Sequence, residues 1–156
     1  MNIYLADVTP DNFDQIINLK SSVDQEQKIQ IYERWVGSNT FFLAVCQVYR
    51  FTPKAIYDNE TLIGFTCYGY NSATERFQLI SIMLGHQYQG KGYGIASLKL
   101  VVEEMKKQFN CKEIYLIVIH DNHTAIKVYE RIGFIPTGEI EKAFHDEHVY
   151  KLILEE

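Results

Sequence analysis

The sequence contains few of the residues that cross-link or break a fold. Three prolines and three cysteines occur among 156 residues, and Cys46, Cys67 and Cys111 lack CxxC or any other metal-ligand spacing. An odd number of scattered cysteines favours buried, reduced thiols over a disulfide framework. This pattern predicts a cytoplasmic protein with no bound metal.

Long apolar runs and an excess of positive charge are also missing. No run approaches the ~20 residues of a membrane span, and the first residues include Asp7, Asp11 and Asp14 in place of a signal peptide's apolar segment. Fifteen Lys and Arg against twenty Asp and Glu give a net charge of −5. Phosphate backbones require a basic face. We therefore expect no membrane and no nucleic-acid partner.

What remains is the composition of one globular domain. The chain of 18.2 kDa is 47% hydrophobic and 22% charged, close to globular averages. No internal repeat, low-complexity tract or linker interrupts it. A single domain over residues 1–156 is predicted.

The first half alternates strand-like and helical patterns. Residues 3–8 predict a strand, and Thr9-Pro10-Asp11 a turn that starts a helix through Phe13 and Ile16. Residues 25–35 and 39–48 have helical patterns. Strands are predicted at 55–57 and 62–70, on either side of a hairpin turn at 58–60, and at 75–84.

The second half predicts a parallel βαβ unit. A helix over 95–109 carries an apolar stripe, and residues 114–119 read as a strand buried on both faces. Asn122 then caps a short helix that Gly133 ends. A closing hairpin is predicted from 134–140 and 148–154 around a turn at 145–147. Five His are present, and His123, His145 and His148 lack metal-ligand spacing, so they are expected on turns or on a helix surface.

The glycine-rich segment 89–94, Gln-Gly-Lys-Gly-Tyr-Gly, lies between a predicted strand and a predicted helix. Strand, glycine turn and helix is an arrangement that points backbone N–H groups at a phosphate. The P-loop pattern fails because Gly92 stands where Ser or Thr would hold Mg²⁺, and the dinucleotide fingerprint fails at Ser97. A phosphate-bearing ligand of another kind is indicated.

Two motifs together resemble the GCN5-related N-acetyltransferase (GNAT) superfamily. The first is Gln-x-x-Gly-x-Gly at Gln89, Gly92 and Gly94; the second is Asn122-x-x-Ala125-x-x-x-Tyr129-x-x-x-Gly133-Phe134. Segments 88–92 and 111–116 look most like bacterial spermidine/spermine (diamine) N-acetyltransferases. The resemblance implies an α/β fold with a mixed, mostly antiparallel, twisted sheet of six to seven strands flanked by helices, including one parallel βαβ unit.

The resemblance also implies a cofactor, acetyl-CoA, with CoA as product and no metal. The backbone of the strand before the loop is expected to hold the pantetheine arm, the loop amides the diphosphate, and the second motif the cofactor's reactive end. An ordinary tight turn into a helix is the alternative explanation of the glycines. The implied contacts are Ile82, Met83, Leu84, Gln89, Gly90, Lys91, Gly92, Tyr93, Gly94, Ile95, Asn122, Ala125 and Tyr129.

Tyr129 matches the family's general-acid tyrosine, which would protonate the CoA sulfur. A phenol of pKa ~10 can protonate a thiolate of pKa ~8.5 when the two are held together. Tyr129 also lies on the apolar stripe of its helix, so a purely structural role in the core is the alternative. Asn122 is either a cofactor contact, a helix cap, or both.

The general base is less well defined by the sequence. Polyamine-acetylating relatives tend to carry acids where this chain has Ile80 and His120. His120 is the candidate base, since histidine exchanges protons near neutral pH, or it ends a strand in solvent. Glu75 and Glu33 are further candidates, or solvated surface charges. An acceptor groove is a hypothesis for four aromatic residues, which core packing also explains: Trp35, Tyr49, Phe51 and Tyr70.

The resulting expectation is an N-acetyltransferase that moves the acetyl group of acetyl-CoA to a primary amine, such as a small amine or polyamine. One alternative is acetylation of a protein N-terminus or lysine. Another is a non-catalytic acyl-CoA sensor, which the missing acid at Ile80 favours and the retained Tyr129 disfavours. The resemblance further implies a homodimer.

Overall fold

The structure, a computed structural model, describes residues 1–21, 38–142 and 146–154. The helix expected at 25–35 lies outside them. The strands are β1 (Ile3–Asp7), β2 (Thr52–Asp58), β3 (Thr61–Asn71), β4 (Arg76–Leu84), β5 (Glu113–Ile119), β6 (Ile135–Lys142) and β7 (Asp146–Ile153). The helices are α1 (Phe13–Asn18), α2 (Asn39–Tyr49), α3 (Tyr93–Phe109) and α4 (His123–Ile132), with a 3-10 turn at His86–Tyr88.

The seven strands form one sheet in the order β1-β2-β3-β4-β5-β7-β6. Every neighbouring pair is antiparallel except β4 and β5, which are parallel and joined through α3. A parallel pair needs such a crossover because its strands start at the same edge. The expected α/β fold, with a mostly antiparallel sheet and one βαβ unit, is confirmed.

Helices cover the two faces of the sheet differently. On one face α3 and α4 enclose the larger core, which includes Tyr68, Leu98, Met105 and Leu116. On the other face α1 and α2 cover β2 and β3 around Ile16, Phe65 and the thiols of Cys46 and Cys67. Among the described residues, no helix is both long and apolar enough to cross a membrane.

Several local predictions differ from the structure. β5 is fully buried on the α3 face alone, since Tyr115, Ile117 and Ile119 are only half-buried. Glu75 lies in a turn at φ 58° instead of starting β4. The turn predicted at 145–147 is wrong for Asp146 and Glu147, which already pair within β7. His145 lies outside the described residues.

Candidate active site

The glycine-rich segment leads directly into α3 and leaves its amides unpaired. Gly92 is the N-cap of the helix at φ 87°, and no side chain caps it. Among the described residues, the backbone amides from Gly90 to Ile95 have no backbone acceptor. The first N–H groups of a helix always lack partners within the helix, and they attract anions. The loop is therefore a row of donors available to a phosphate group.

Side-chain contacts hold this loop against the end of β4. The Gln89 side-chain amide donates to the Leu84 carbonyl at 3.1 Å. The rings of Tyr88 and Tyr93 meet edge to face with centroids 6.5 Å apart. Gly90, at φ 73°, has no atom within 4 Å of the position that a Cβ would take. A ligand can therefore approach the backbone there without meeting a side chain.

The seam between β4 and β5 opens toward the loop. The two strands share a single register pair, Gln78 with Tyr115, near the start of β4. Beyond it Ile80 is a bulge residue, because Leu79 pairs with Tyr68 and Ser81 pairs with Cys67 on β3. Bulges bend a strand and commonly lie beside active sites. The backbone of Ile82, Met83 and Leu84 pairs with β3 on one side only, which leaves the other side for an extended ligand.

α4 begins next to the end of β5 and carries the expected tyrosine. The Asn122 side chain accepts from the Ala125 amide at 3.5 Å, so the predicted capping role is confirmed. Tyr129 is half-buried against the α3-side core, and burial raises the pKa of its hydroxyl to about 12. The phenol therefore stays protonated at neutral pH, as a proton donor must.

His120 is exposed directly after β5. Its ring lies beside that of His148, with centroids 5.9 Å apart. His148 pairs with Val118 inside the sheet, which agrees with the predicted strand over 148–154, whereas the expectation of a turn or helix-surface position for it is wrong. Among the described residues, no group of three His, Cys, Asp or Glu side chains could hold a metal ion.

Two carboxylates that the sequence did not single out lie on the β7 side of the end of β5. Glu147 pairs with Ile119 on one side and with Glu141 on the other. Because β4 and β5 are parallel, Ile119 at the end of β5 lies toward the same end of the sheet as Ile82 to Leu84, so Glu147 lies level with the open seam. Burial and the neighbouring Glu141 raise the pKa of Glu147. Among the described residues, neither glutamate forms an ion pair.

The remaining candidates lie away from this end of β4. Glu75 is at the opposite end of the strand. Tyr70 packs on Phe77, and Phe51 contacts Gly69, which pairs with Gln78; Tyr49 stacks on Phe51. These aromatic residues therefore do not line the loop or the open seam. Glu33 and Trp35 lie outside the described residues.

The donor loop, the open seam and the protonated phenol fit the three parts of acetyl-CoA. The loop amides suit its diphosphate, with Lys91 exposed beside them. The edge of β4 suits an extended arm with amide groups, and Tyr129 on α4 supplies a protonated phenol. A mixed sheet with this opening, followed by a phosphate loop, fits the class of acyl-CoA-dependent transferases.

Comparison with known proteins agrees with this class. Residues 22–134 match the acetyltransferase (GNAT) family. The spermine/spermidine N(1)-acetyltransferase of Bacillus subtilis (strain 168) is 30% identical over 147 residues, which is 90% of this chain and 93% of that protein. The chain belongs to the acetyltransferase (GNAT) family. It is an acetyl-CoA-dependent N-acetyltransferase.

Solved structures agree on the fold. The spermidine N-acetyltransferase of Vibrio cholerae, in complex with CoA and spermine, has a TM-score of 0.72 at 19% identity, with 97% of this chain and 95% of that chain covered. The ribosomal-protein-S18-alanine N-acetyltransferase of Escherichia coli has a TM-score of 0.71 at 20% identity, with coverage of 97% and 93%. Enzymes named for different amine acceptors therefore share this architecture.

Proposed function

We propose that this enzyme acetylates a primary amine of a small polycation of the spermidine or spermine type, with Tyr129 as general acid. The observation that carries the acceptor class is the position of Glu147 and Glu141, two carboxylates without an ion-pair partner among the described residues, level with the open seam. Like charges directly opposite each other across strands are unfavourable, and a bound ammonium group relieves that repulsion. The similarity to a spermine/spermidine acetyltransferase supports the same acceptor.

The proposed reaction needs a neutral amine and a proton for the departing sulfur. Acetyl-CoA supplies the activated acyl group as a thioester. An alkyl ammonium of pKa ~10.4 is about four parts in ten thousand neutral at pH 7, which costs roughly 5 kcal/mol. His120, exposed at the end of β5, takes this proton directly or through water. The amine nitrogen bonds to the acetyl carbon and releases its second proton to water, the carbon–sulfur bond breaks, and the Tyr129 hydroxyl protonates the sulfur. The resulting phenolate then regains a proton from solvent.

The cofactor contacts in this proposal follow the geometry of the loop and the seam. The Gly90–Ile95 amides hold the diphosphate, and the backbone of Ile82 to Leu84 holds the pantetheine arm. Asn122 and Ala125 place the first turn of α4 beside the thioester. Homodimerisation stays a prediction, which light scattering on the purified protein tests.

A substrate panel tests the acceptor class. Release of CoA is followed with spermidine, spermine, putrescine and a peptide with a free N-terminal alanine. We expect the highest kcat/KM with spermidine or spermine. A clear preference for the peptide would replace the polyamine with a protein N-terminus. Tight acetyl-CoA binding without transfer to any amine would indicate a sensor.

Replacement of single carboxylates tests where the acceptor binds. Glu147→Gln is expected to raise the KM for spermidine about tenfold and to leave the KM for acetyl-CoA unchanged, because it removes one ammonium partner. Glu103→Gln, on the exposed side of α3, is the matched control. An unchanged spermidine KM in the Glu147 variant would refute the proposed role of this carboxylate.

A further inference from the structure

The β2–β3 turn reaches across the molecule to the phosphate loop. The Tyr93 hydroxyl, on the first residue of α3, donates to Oδ2 of Asp58 at 2.5 Å. The other oxygen of Asp58 accepts from the backbone amide of Asn2 at 2.8 Å. One carboxylate thus connects three segments that are far apart in sequence.

Further contacts fix two of these three segments, the N-terminal segment and the β2–β3 turn, to each other. Asn59, in the same turn, forms two hydrogen bonds with Asn2. The Asn2 side-chain amide donates to Oδ1 of Asn59 at 3.1 Å, and the Asn59 backbone amide donates to the Asn2 carbonyl at 3.0 Å. The Tyr4 hydroxyl donates to the Asn59 carbonyl at 2.7 Å. These hydrogen bonds fix the β2–β3 turn, and with it the Asp58 carboxylate that binds the Tyr93 hydroxyl.

The ionisation states of Asp58 and Tyr93 favour a hydrogen bond that persists over the physiological pH range. The Tyr93 hydroxyl, followed by the Asn2 amide, lowers the pKa of Asp58, and the Asp58 contact raises the pKa of Tyr93. The carboxylate is ionised and the phenol is neutral throughout the physiological range. Hydrogen bonds with one ionised partner are shorter and stronger than neutral ones.

The loop itself has little else to fix its conformation on this side. Gly90 and Gly92 have positive φ angles, and glycine populates many alternatives to them. Gln89 ties the start of the loop to β4, whereas Tyr93 ties its end to the β2–β3 turn. The amides between these two anchors are among those that have no backbone acceptor in the described part of the chain. A site preorganised in this way binds its ligand with less loss of conformational freedom.

We propose that Asp58 is a positioning residue for cofactor binding: through the Tyr93 hydroxyl it fixes the first turn of α3 in the conformation that receives the CoA diphosphate. Asp58 does not contact the cofactor, because the length of the tyrosine side chain separates the carboxylate from the loop amides. The inference rests on the acetyl-CoA site and not on the identity of the amine acceptor.

Calorimetry with two ligands tests this assignment. CoA carries the diphosphate, and pantetheine is the same arm without it. In Tyr93→Phe, which loses one hydroxyl, and in Asp58→Ala, we expect the Kd for CoA to rise about tenfold and the Kd for pantetheine to stay unchanged. The double variant is expected to be no weaker than either single variant, because both remove the same contact. Asp58→Asn keeps one acceptor oxygen, so its Kd for CoA is expected to lie between those of the parent enzyme and of Asp58→Ala.

Glu60→Gln, in the same turn and exposed, is the matched control. Equal weakening of CoA and pantetheine would show a general structural effect and would overturn the proposal, as would CoA binding at the unmodified affinity in Tyr93→Phe. Should Asp58→Ala fail to fold, Tyr93→Phe alone still decides. A failure of the polyamine panel leaves this result untouched, since no acceptor is present in the measurement.

Discussion

The rings of Tyr129 and Phe134 meet edge to face, with centroids 5.9 Å apart. The contact joins the last turns of α4 to the residue that precedes β6, so the phenol is held by packing. No hydrogen bond of the Tyr129 hydroxyl to a described residue accompanies it. The hydroxyl is therefore available to a ligand while the ring keeps its place.

This arrangement predicts that Tyr129→Phe separates chemistry from binding. We expect kcat to fall by about 10²–10⁴, the range typical for loss of a general acid. The ring still packs on Phe134, so the acetyl-CoA Kd and the melting temperature are expected to change little. Steady-state kinetics measure kcat, titration calorimetry measures the acetyl-CoA Kd, and scanning calorimetry measures the melting temperature. Tyr115→Phe, which removes a hydroxyl bonded to Glu113 instead, is the control; an unchanged kcat in the Tyr129 variant would exclude the general-acid role.

Replacement by alanine is expected to lower the stability of the protein at Gly92 and to raise it at Gly94. Gly92→Ala forces a left-handed backbone on alanine at φ 87°, which costs roughly 1–2 kcal/mol. Gly94 lies in the first turn of α3, and a Cβ there would be 3.9 Å from a Val128 methyl, an ordinary contact. Gly94→Ala should therefore stabilise by up to about 1 kcal/mol. Thermal unfolding without ligand measures both, and equal shifts of the two variants would contradict the assigned backbone.

The buried phenol of Tyr68 predicts a loss of stability at high pH. Burial, followed by the charges of Glu104 and Asp7, raises its pKa to about 12, against about 10 in the unfolded chain. The folded state binds the extra proton between these values, so its contribution is complete below pH 10 and is lost toward pH 12. The two-unit difference corresponds to about 3 kcal/mol.

Tyr68→Phe should remove this dependence without harm at neutral pH, because the Tyr68 hydroxyl has no hydrogen-bond partner among the described residues. Urea unfolding at pH 8 and at pH 10.5 provides the comparison. We expect the variant to lose less stability than the parent between these two conditions. Parallel losses in the two proteins would mean that other groups dominate the alkaline transition.

Gly64→Ala, on β3, is expected to displace the part of β4 that borders the open seam. A Cβ at this position would collide with the Met83 carbonyl and approach a Leu84 methyl at 3.0 Å. Relief requires β3 and β4 to move apart, which displaces the backbone expected to hold the pantetheine arm. The variant should unfold more easily and bind pantetheine more weakly. Native-like binding would show that β4 adjusts without cost to the seam.

Local sequence patterns predicted the parts of the site that are local in structure. The loop, the start of α3 and the Asn122 cap each depend on residues within a few positions of one another. The single register pair between β4 and β5 depends instead on how a bulge at Ile80 bends one strand away from the other. No local pattern encodes that separation.

Glu147 was missed for a related reason. The turn predicted at 145–147 placed Glu147 outside the strand, whereas its pairing with Ile119 sets which face it occupies. A shift of one residue in a strand exchanges its two faces. The Tyr93–Asp58 contact joins residues 35 positions apart, and only the assembled sheet brings them together.

All three cysteines are reduced and buried, and Cys67 lies against Cys46 with its own pKa raised by that neighbour and by burial. A thiol reagent reacts with thiolate that it can reach, so the folded enzyme should stay almost unlabelled while the unfolded chain takes up three equivalents. Counting reacted sulfurs in a crude sample would then measure the unfolded fraction directly, without an engineered probe and without turning the enzyme over.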